Sequence, residues 1–190
     1  MTQVHRSRRE FLTTTGGLAL IGSAPAILGA ENKSGSKPPV LGPEGHRYEV
    51  RHNCMQIPSH IQWQDTHGVA IDSAGLIYVK HRTMTVEPQD AIVVFDRDGK
   101  FVRSFGKEFH GGGHGIDIRR DDGEEFLYLC DNKGYIAKSS LMGEIVWKHA
   151  APKIEPYKDA RPFELETPGK YGKGYLFCPT NIAFAPDGGF

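Results

Sequence analysis

Apolar residues in this chain alternate with polar ones in short runs and do not recur every three or four positions. Between His67 and Gly106, Val69, Ile71, Ile77 and Val79 fall two apart on either side of Ser73-Ala74-Gly75, the period of two strands joined as a hairpin. Ile92 to Asp96 and Lys100 to Phe105 are β-branched and aromatic runs flanking Asp98-Gly99. That pair suits the positive φ angles of a tight type I′ turn. The pattern predicts a four-stranded antiparallel unit with Val69, Ile71, Val79 and Val93 in or near its core.

The unit then repeats. His114-Gly115-Ile116-Asp117-Ile118 matches His67-Gly68-Val69-Ala70-Ile71 at an offset of 114 − 67 = 47, and Gly143 to Trp147 matches Gly99 to Arg103 at 143 − 99 = 44. The second copy adds Ile116, Ile118 and Leu127 to the expected core. A third begins at Thr180-Asn181-Ile182-Ala183-Phe184. Four strands recurring every 40 to 50 residues or so mark β-propeller blades. One blade cannot cover both of its own faces, so blades stack about an axis. The expected fold class is therefore all-β: an incomplete β-propeller with four-stranded blades at about 66–106 and 113–148 and the start of a third at 179–190. Two blades and a start are fewer than closed propellers use, so the chain reads as an N-terminal fragment or a truncated product of something longer.

The flanking segments read differently. Asn32 to Pro43 is rich in Gly, Ser, Lys and Pro, as a flexible linker is. The expected division is a leader over 1–30, a linker over 31–47 and the partial propeller over 48–190. Tyr48-Glu49-Val50 alternates and is a candidate early strand. His149 to Phe177 contains Pro152, Pro156, Pro162 and Pro168. It cannot hold a central strand, because each proline removes a ladder donor. It reads as a long excursion on one face, either functional or a solvated connection.

Composition narrows the partners. Hydrophobic residues make up 38% and charged residues 24%, ordinary for a soluble globular chain. With 23 basic and 23 acidic residues the formal net charge is zero, which gives no reason to expect nucleic acid or an anionic membrane. A peptide or small-molecule ligand at the propeller channel is the partner left. At the start of the chain, Ser7-Arg8-Arg9-Glu10-Phe11-Leu12 precedes a weakly apolar run, Leu18 to Leu28. This resembles a twin-arginine export signal, with small residues for cleavage at Ala24-Pro25-Ala26 or Leu28-Gly29-Ala30. It implies a periplasmic or extracellular protein. The run is shorter than the roughly 20 residues of a spanning helix and is interrupted by Pro25.

Cys54, Cys130 and Cys178 are odd in number and lack CxxC spacing, which argues against a sulfur-ligated zinc. Their pairing stays open, with Cys130 read as a buried strand thiol. Histidine carries more. His60, His67, His81, His110 and His114 fall within 55 residues, and His67 and His114 hold the same repeat position, at the start of a blade's first strand. In a propeller that strand is innermost, so such imidazoles converge at the channel. Neutral imidazoles gathered there are natural zinc ligands, whereas a His before Gly at a strand start also commonly just hydrogen-bonds backbone.

The blades resemble NHL repeats, and the order of features is similar to the peptidyl-α-hydroxyglycine α-amidating lyase family, a six-bladed NHL-type propeller with zinc in its channel. Gly68-Val69-Ala70-Ile71-Asp72 followed by His81-Arg82 matches that family's first blade, His114-Gly115-Ile116 opens the second, and Phe177-Cys178-Pro179-Thr180 opens the third with one residue fewer. The resemblance implies that His114 is one of three zinc histidines and that Arg82 is the active-site arginine engaging substrate oxygens. It implies too that the backbone carbonyls of Val69 and Ile116 face a structural calcium. His67 stands where the family has a small residue, so it is an added ligand, a competitor or an inert channel residue. The implied reaction is zinc-assisted C–N cleavage of a carbinolamide with release of glyoxylate. The family's other zinc histidines and its catalytic tyrosine fall past Phe190, so this chain alone is expected to be inactive. Non-catalytic NHL propellers that bind proteins or ligands are the alternative. A calcium-dependent lactonase-like hydrolase fits less well, because the blade starts carry His, His and Thr180-Asn181 where that chemistry needs acidic side chains.

Overall fold

The structure is a computed structural model that describes residues 39–159 and 177–190. The expected export signal over 1–30 lies outside the described residues. The chain falls into two compact units divided after His52. In the first, β1 (Val40–Leu41) pairs antiparallel with β2 (Tyr48–Glu49), so the stretch read as linker contributes a short strand, and Tyr48–Glu49 pairs with it. Among the described residues no helix is long and apolar enough to cross a membrane.

The second unit is all-β and is built from two four-stranded antiparallel sheets. The first sheet runs β3 (Asp65–Ile71), β4 (Ile77–Arg82), β5 (Ile92–Phe95) and β6 (Phe101–Phe105), each strand beside the next. The second repeats that order with β7 (Gly113–Asp121), β8 (Glu124–Asp131), β9 (Tyr135–Ser140) and β10 (Ile145–Ala150). Residues 177–190 form no strand, yet the Gly115 N–H donates to the Thr180 carbonyl at 2.9 Å and ties that segment to β7.

A shared core lies between the sheets. Ala70, Tyr78, Ile92 and Val94 of the first meet Ile116, Leu127, Leu129 and Ala137 of the second, with Ile118 packed against them. The other face of the first sheet, with Val79, Val93 and Phe95, is covered by Ile61, Met55 and Trp63 from the chain leading into β3. Period-2 alternation thus placed Val79, Val93, Ile116, Ile118 and Leu127 correctly. Val69 and Ile71 differ from expectation: they lie opposite Val79 and Ile77 at the sheet edge, beyond the reach of that covering segment, and are 56% and 62% exposed. The residue of β3 that faces the second sheet is Ala70.

Turn chemistry also differs in one place. At Asp98-Gly99 only Gly99 has a positive φ (79°). The turn is a wider one, closed by Gly99 N–H donating to the Asp96 carbonyl, while the Asp96 carboxylate accepts from Asp98 and Lys100 N–H at 2.9 Å each. Paired positive φ angles, the mark of type I′, occur at Asp122 (50°) and Gly123 (91°), between β7 and β8.

The repeat extends to side-chain devices. Tyr78 pairs with Ala70 and Tyr128 with Asp117, again 117 − 70 = 47 apart. Tyr78 donates to the Asp72 carboxylate at 3.0 Å and lies under the Arg103 guanidinium, and Tyr128 donates to Asp121 and lies under Lys138. Ile118 packs into the cluster holding Tyr78. Phe184, its counterpart in the third copy, meets Tyr128 edge-on at 4.8 Å.

Candidate functional site

Both repeat histidines sit in β-bulges. β3 and β4 pair Thr66 with His81 and then Gly68 with Lys80, so His67 is an extra residue on its strand. β7 and β8 pair Gly113 with Asp131 and then Ile116 with Leu129, so His114-Gly115 likewise spans one extra residue. A bulge bends its strand and re-aims a side chain. The glycine after each histidine permits close approach of the next segment. A Cβ on Gly68 would lie 2.9 Å from the Ile116 nitrogen and 3.1 Å from the His114 carbonyl oxygen, and one on Gly115 would lie 2.5 Å from the Thr180 oxygen. The two imidazoles meet with ring centroids 4.5 Å apart and planes at 35°.

Their surroundings are cationic. His67 is exposed and His114 half-buried. Burial first, then the nearby His67, Lys80 and Arg82, lowers the His114 pKa below its usual value and favours the neutral ring with a free lone pair. Arg82 ends β4 opposite Asp65, the first residue of β3. Its Nη2 and Nε donate to one oxygen, Asp65 Oδ2, at 2.5 and 3.2 Å, and the guanidinium holds the Asp65 carboxyl below the usual range. His81, beside Arg82 in sequence, is buried: it stacks on Trp63 at 4.8 Å and its Nε2 bonds the Asp90 carbonyl at 2.8 Å.

Behind the histidines lies a pair that the sequence reading passed over. Lys80 and Asp131 are fully buried, with Nζ and Oδ2 3.6 Å apart, and Lys80 also donates to the Cys130 carbonyl. The Asp131 carboxylate accepts from Lys133 N–H at 2.9 Å. Burial lowers the Lys80 pKa and raises that of Asp131. The signal was present: Lys80 alternates with Tyr78 on the inward face of β4, where an apolar residue is the norm.

These geometries bear on the implied metals. A catalytic zinc uses three protein ligands. His67 and His114 are two, and among the described residues no three His, Cys, Asp or Glu side chains converge. The described residues therefore do not by themselves fit that centre. Val69 and Ile116 lie on the neighbouring strands β3 and β7, Val69 with an exposed side chain and Ile116 with a buried one. Two carbonyls would supply only part of the six to eight or so oxygens that calcium takes. Cys54 is exposed, Cys178 half-buried and Cys130 buried, and none forms a disulfide among the described residues. No protein-family model matches this chain, and a search of curated proteins finds no match.

Proposed function

We propose that the second unit is part of an exported NHL-type β-propeller similar to the peptidyl-α-hydroxyglycine α-amidating lyases, and that His67, His114 and Arg82 are its contribution to the channel site. The observation that carries this reading is the meeting of two histidines from equivalent repeat positions, each in a bulge, 4.5 Å apart on the side of the molecule where β4 ends in Arg82. Neutral imidazoles supply lone pairs, and a guanidinium holds a carboxylate or alkoxide through paired hydrogen bonds. Splitting a carbinolamide takes the proton from the hydroxyl oxygen and delivers one to the leaving amide nitrogen as the C–N bond breaks and the C=O forms, leaving an amide and glyoxylate. Zinc needs at least one donor from outside the described residues, and calcium more than the Val69 and Ile116 carbonyls.

A second reading, a non-catalytic propeller that binds a ligand at the same corner, is favoured by the convergence of two donors and no third among the described residues. Zinc titration of the purified chain, followed through the imidazole signals of His67 and His114, tests the site. Both signals should shift together, with the shift lost in His67→Ala and in His114→Ala. Because this chain alone is expected to be inactive, glyoxylate release from an α-hydroxyglycine peptide is compared with a form extended past Phe190, in which activity separates lyase from scaffold. Imidazoles that ignore zinc would remove the basis of the first reading.

A further inference from the structure

At the end where the histidines lie, the two sheets share one register. In the first, Thr66 pairs with His81 and Asp65 with Arg82. In the second, Gly113 pairs with Asp131, and the next residue, Asn132, donates its N–H to the Gly112 carbonyl at 3.0 Å. Asn132 therefore holds the place in the second copy that Arg82 holds in the first, and the offset, 132 − 82 = 50, is that of Tyr78 and Tyr128. The two places also adjoin in space. Gly113 passes so close to the end of β4 that a Cβ on it would lie 3.1 Å from the Arg82 nitrogen, and Gly112-Gly113 thus runs between the ends of β4 and β8.

What differs is the partner. Arg82 is met by the Asp65 carboxylate, whereas the place opposite Asn132 belongs to Gly112. No acid could stand there, because a Cβ on Gly112 would fall 1.8 Å from Asp131 Oδ1. Asn132 is only 7% exposed, and its side-chain amide bonds to no described residue. The amide is not sealed in either. Among the described residues, the side-chain atoms that lack both a partner and solvent belong to His81, Thr83, Arg103, Asp131 and Ser139. A buried amide without a hydrogen bond costs free energy, which a ligand group reaching it from the open side would recover. The chemistry of the corner selects that group. Arg82 offers only donors, and the Asp65 carboxylate is taken up by it, so a ligand N–H beside a carboxylate needs another acceptor. A neutral amide oxygen supplies one without repelling the carboxylate. We infer that Asn132 is a further binding residue of this site, its Oδ1 accepting the N–H of a peptide group whose neighbouring carboxylate is held by Arg82. The inference rests on the proposed role of Arg82 and adds a second contact to it.

The test uses the full chain and two probes of one shape, N-acetylglycine and acetoxyacetate, in which an ester oxygen replaces the N–H. Both keep a carboxylate for Arg82. In NMR titrations N-acetylglycine should bind about tenfold more tightly, as one hydrogen bond to an otherwise unpaired group gives, and should shift the Asn132 side-chain signals. Asn132→Ala and the similarly sized Asn132→Leu should each bring the ratio of the two affinities to about one. Arg82→Gln should weaken both probes and leave their ratio unchanged. Equal binding of the two probes to the unaltered chain, or a preference that survives both substitutions of Asn132, overturns the role of Asn132 and leaves the reading of Arg82 standing. Failure of both probes to bind at all overturns the two together.

Discussion

Lys80 and Asp131 show how one pair can dominate the behaviour of a small β structure. Removing one partner of a buried ion pair strands the other charge, at a cost of about 3–5 kcal/mol, whereas replacing both is often close to neutral. Lys80→Met should therefore destabilise the chain by about that amount, and Lys80→Met with Asp131→Asn by much less, in urea unfolding arranged as a double-mutant cycle. The pH dependence has a definite sign. Burial lowers Lys80 from 10.5, so between its folded and unfolded pKa values the unfolded chain holds more protons and stability rises with pH. Burial raises Asp131 from 3.8, so over its own window the folded chain holds more protons and stability falls as pH rises. The stability of the natural chain relative to the double variant should accordingly pass through a minimum between those windows. A flat difference in urea midpoints from about pH 4 to about pH 10 would refute this account.

At the scale of elements, the two bulges and their glycines bring the histidines together. Gly68→Ala places a methyl against the Ile116 backbone, and Gly115→Ala places one against the Thr180 oxygen. Each should cost about 1–3 kcal/mol, the range for overpacking, and should separate the His67 and His114 ring signals in NMR. The strands themselves were legible, because period-2 alternation and turn residues are local properties. Register was not. Nothing in His67-Gly68 or His114-Gly115 declares an extra residue on one strand, since a bulge is defined by the partner strand. Alternation also left open which of two apolar faces would be covered. That is why Val69 and Ile71 were expected in the core while Ala70 went unremarked. Asp98-Gly99 misled for a related reason: the upstream Asp96 carboxylate captured the free N–H groups and widened the turn, while the true I′ pair was Asp122-Gly123. The loop between β4 and β5 was opaque as well, because the residues that fasten it, Gln62, Gln64 and His110, lie 20 or more positions away from the atoms they bind.

At the scale of the molecule, each junction between copies among the described residues uses one arrangement: aliphatic or aromatic residues of a copy's first segment lie over a tyrosine held by an aspartate and a cation. Ile116→Ala should cost about 2–5 kcal/mol in chemical unfolding, the range for truncating a buried side chain. Val69→Ser, at the matching position in the first copy, should change stability by about 0.5 kcal/mol or less, as for an exposed site. Equal effects would mean that the first strands of the two copies, β3 and β7, are covered alike. The arrangement also has a direction. The surface a repeat offers to its successor differs in kind from the surface it offers to its predecessor, so units add head to tail and an inverted unit finds no mate. Successive copies are then related by a single operation, and parts that do the same job become interchangeable. Replacing Ile116 by the Val of the first copy should leave the junction intact, whereas Ile116→Asp should split it.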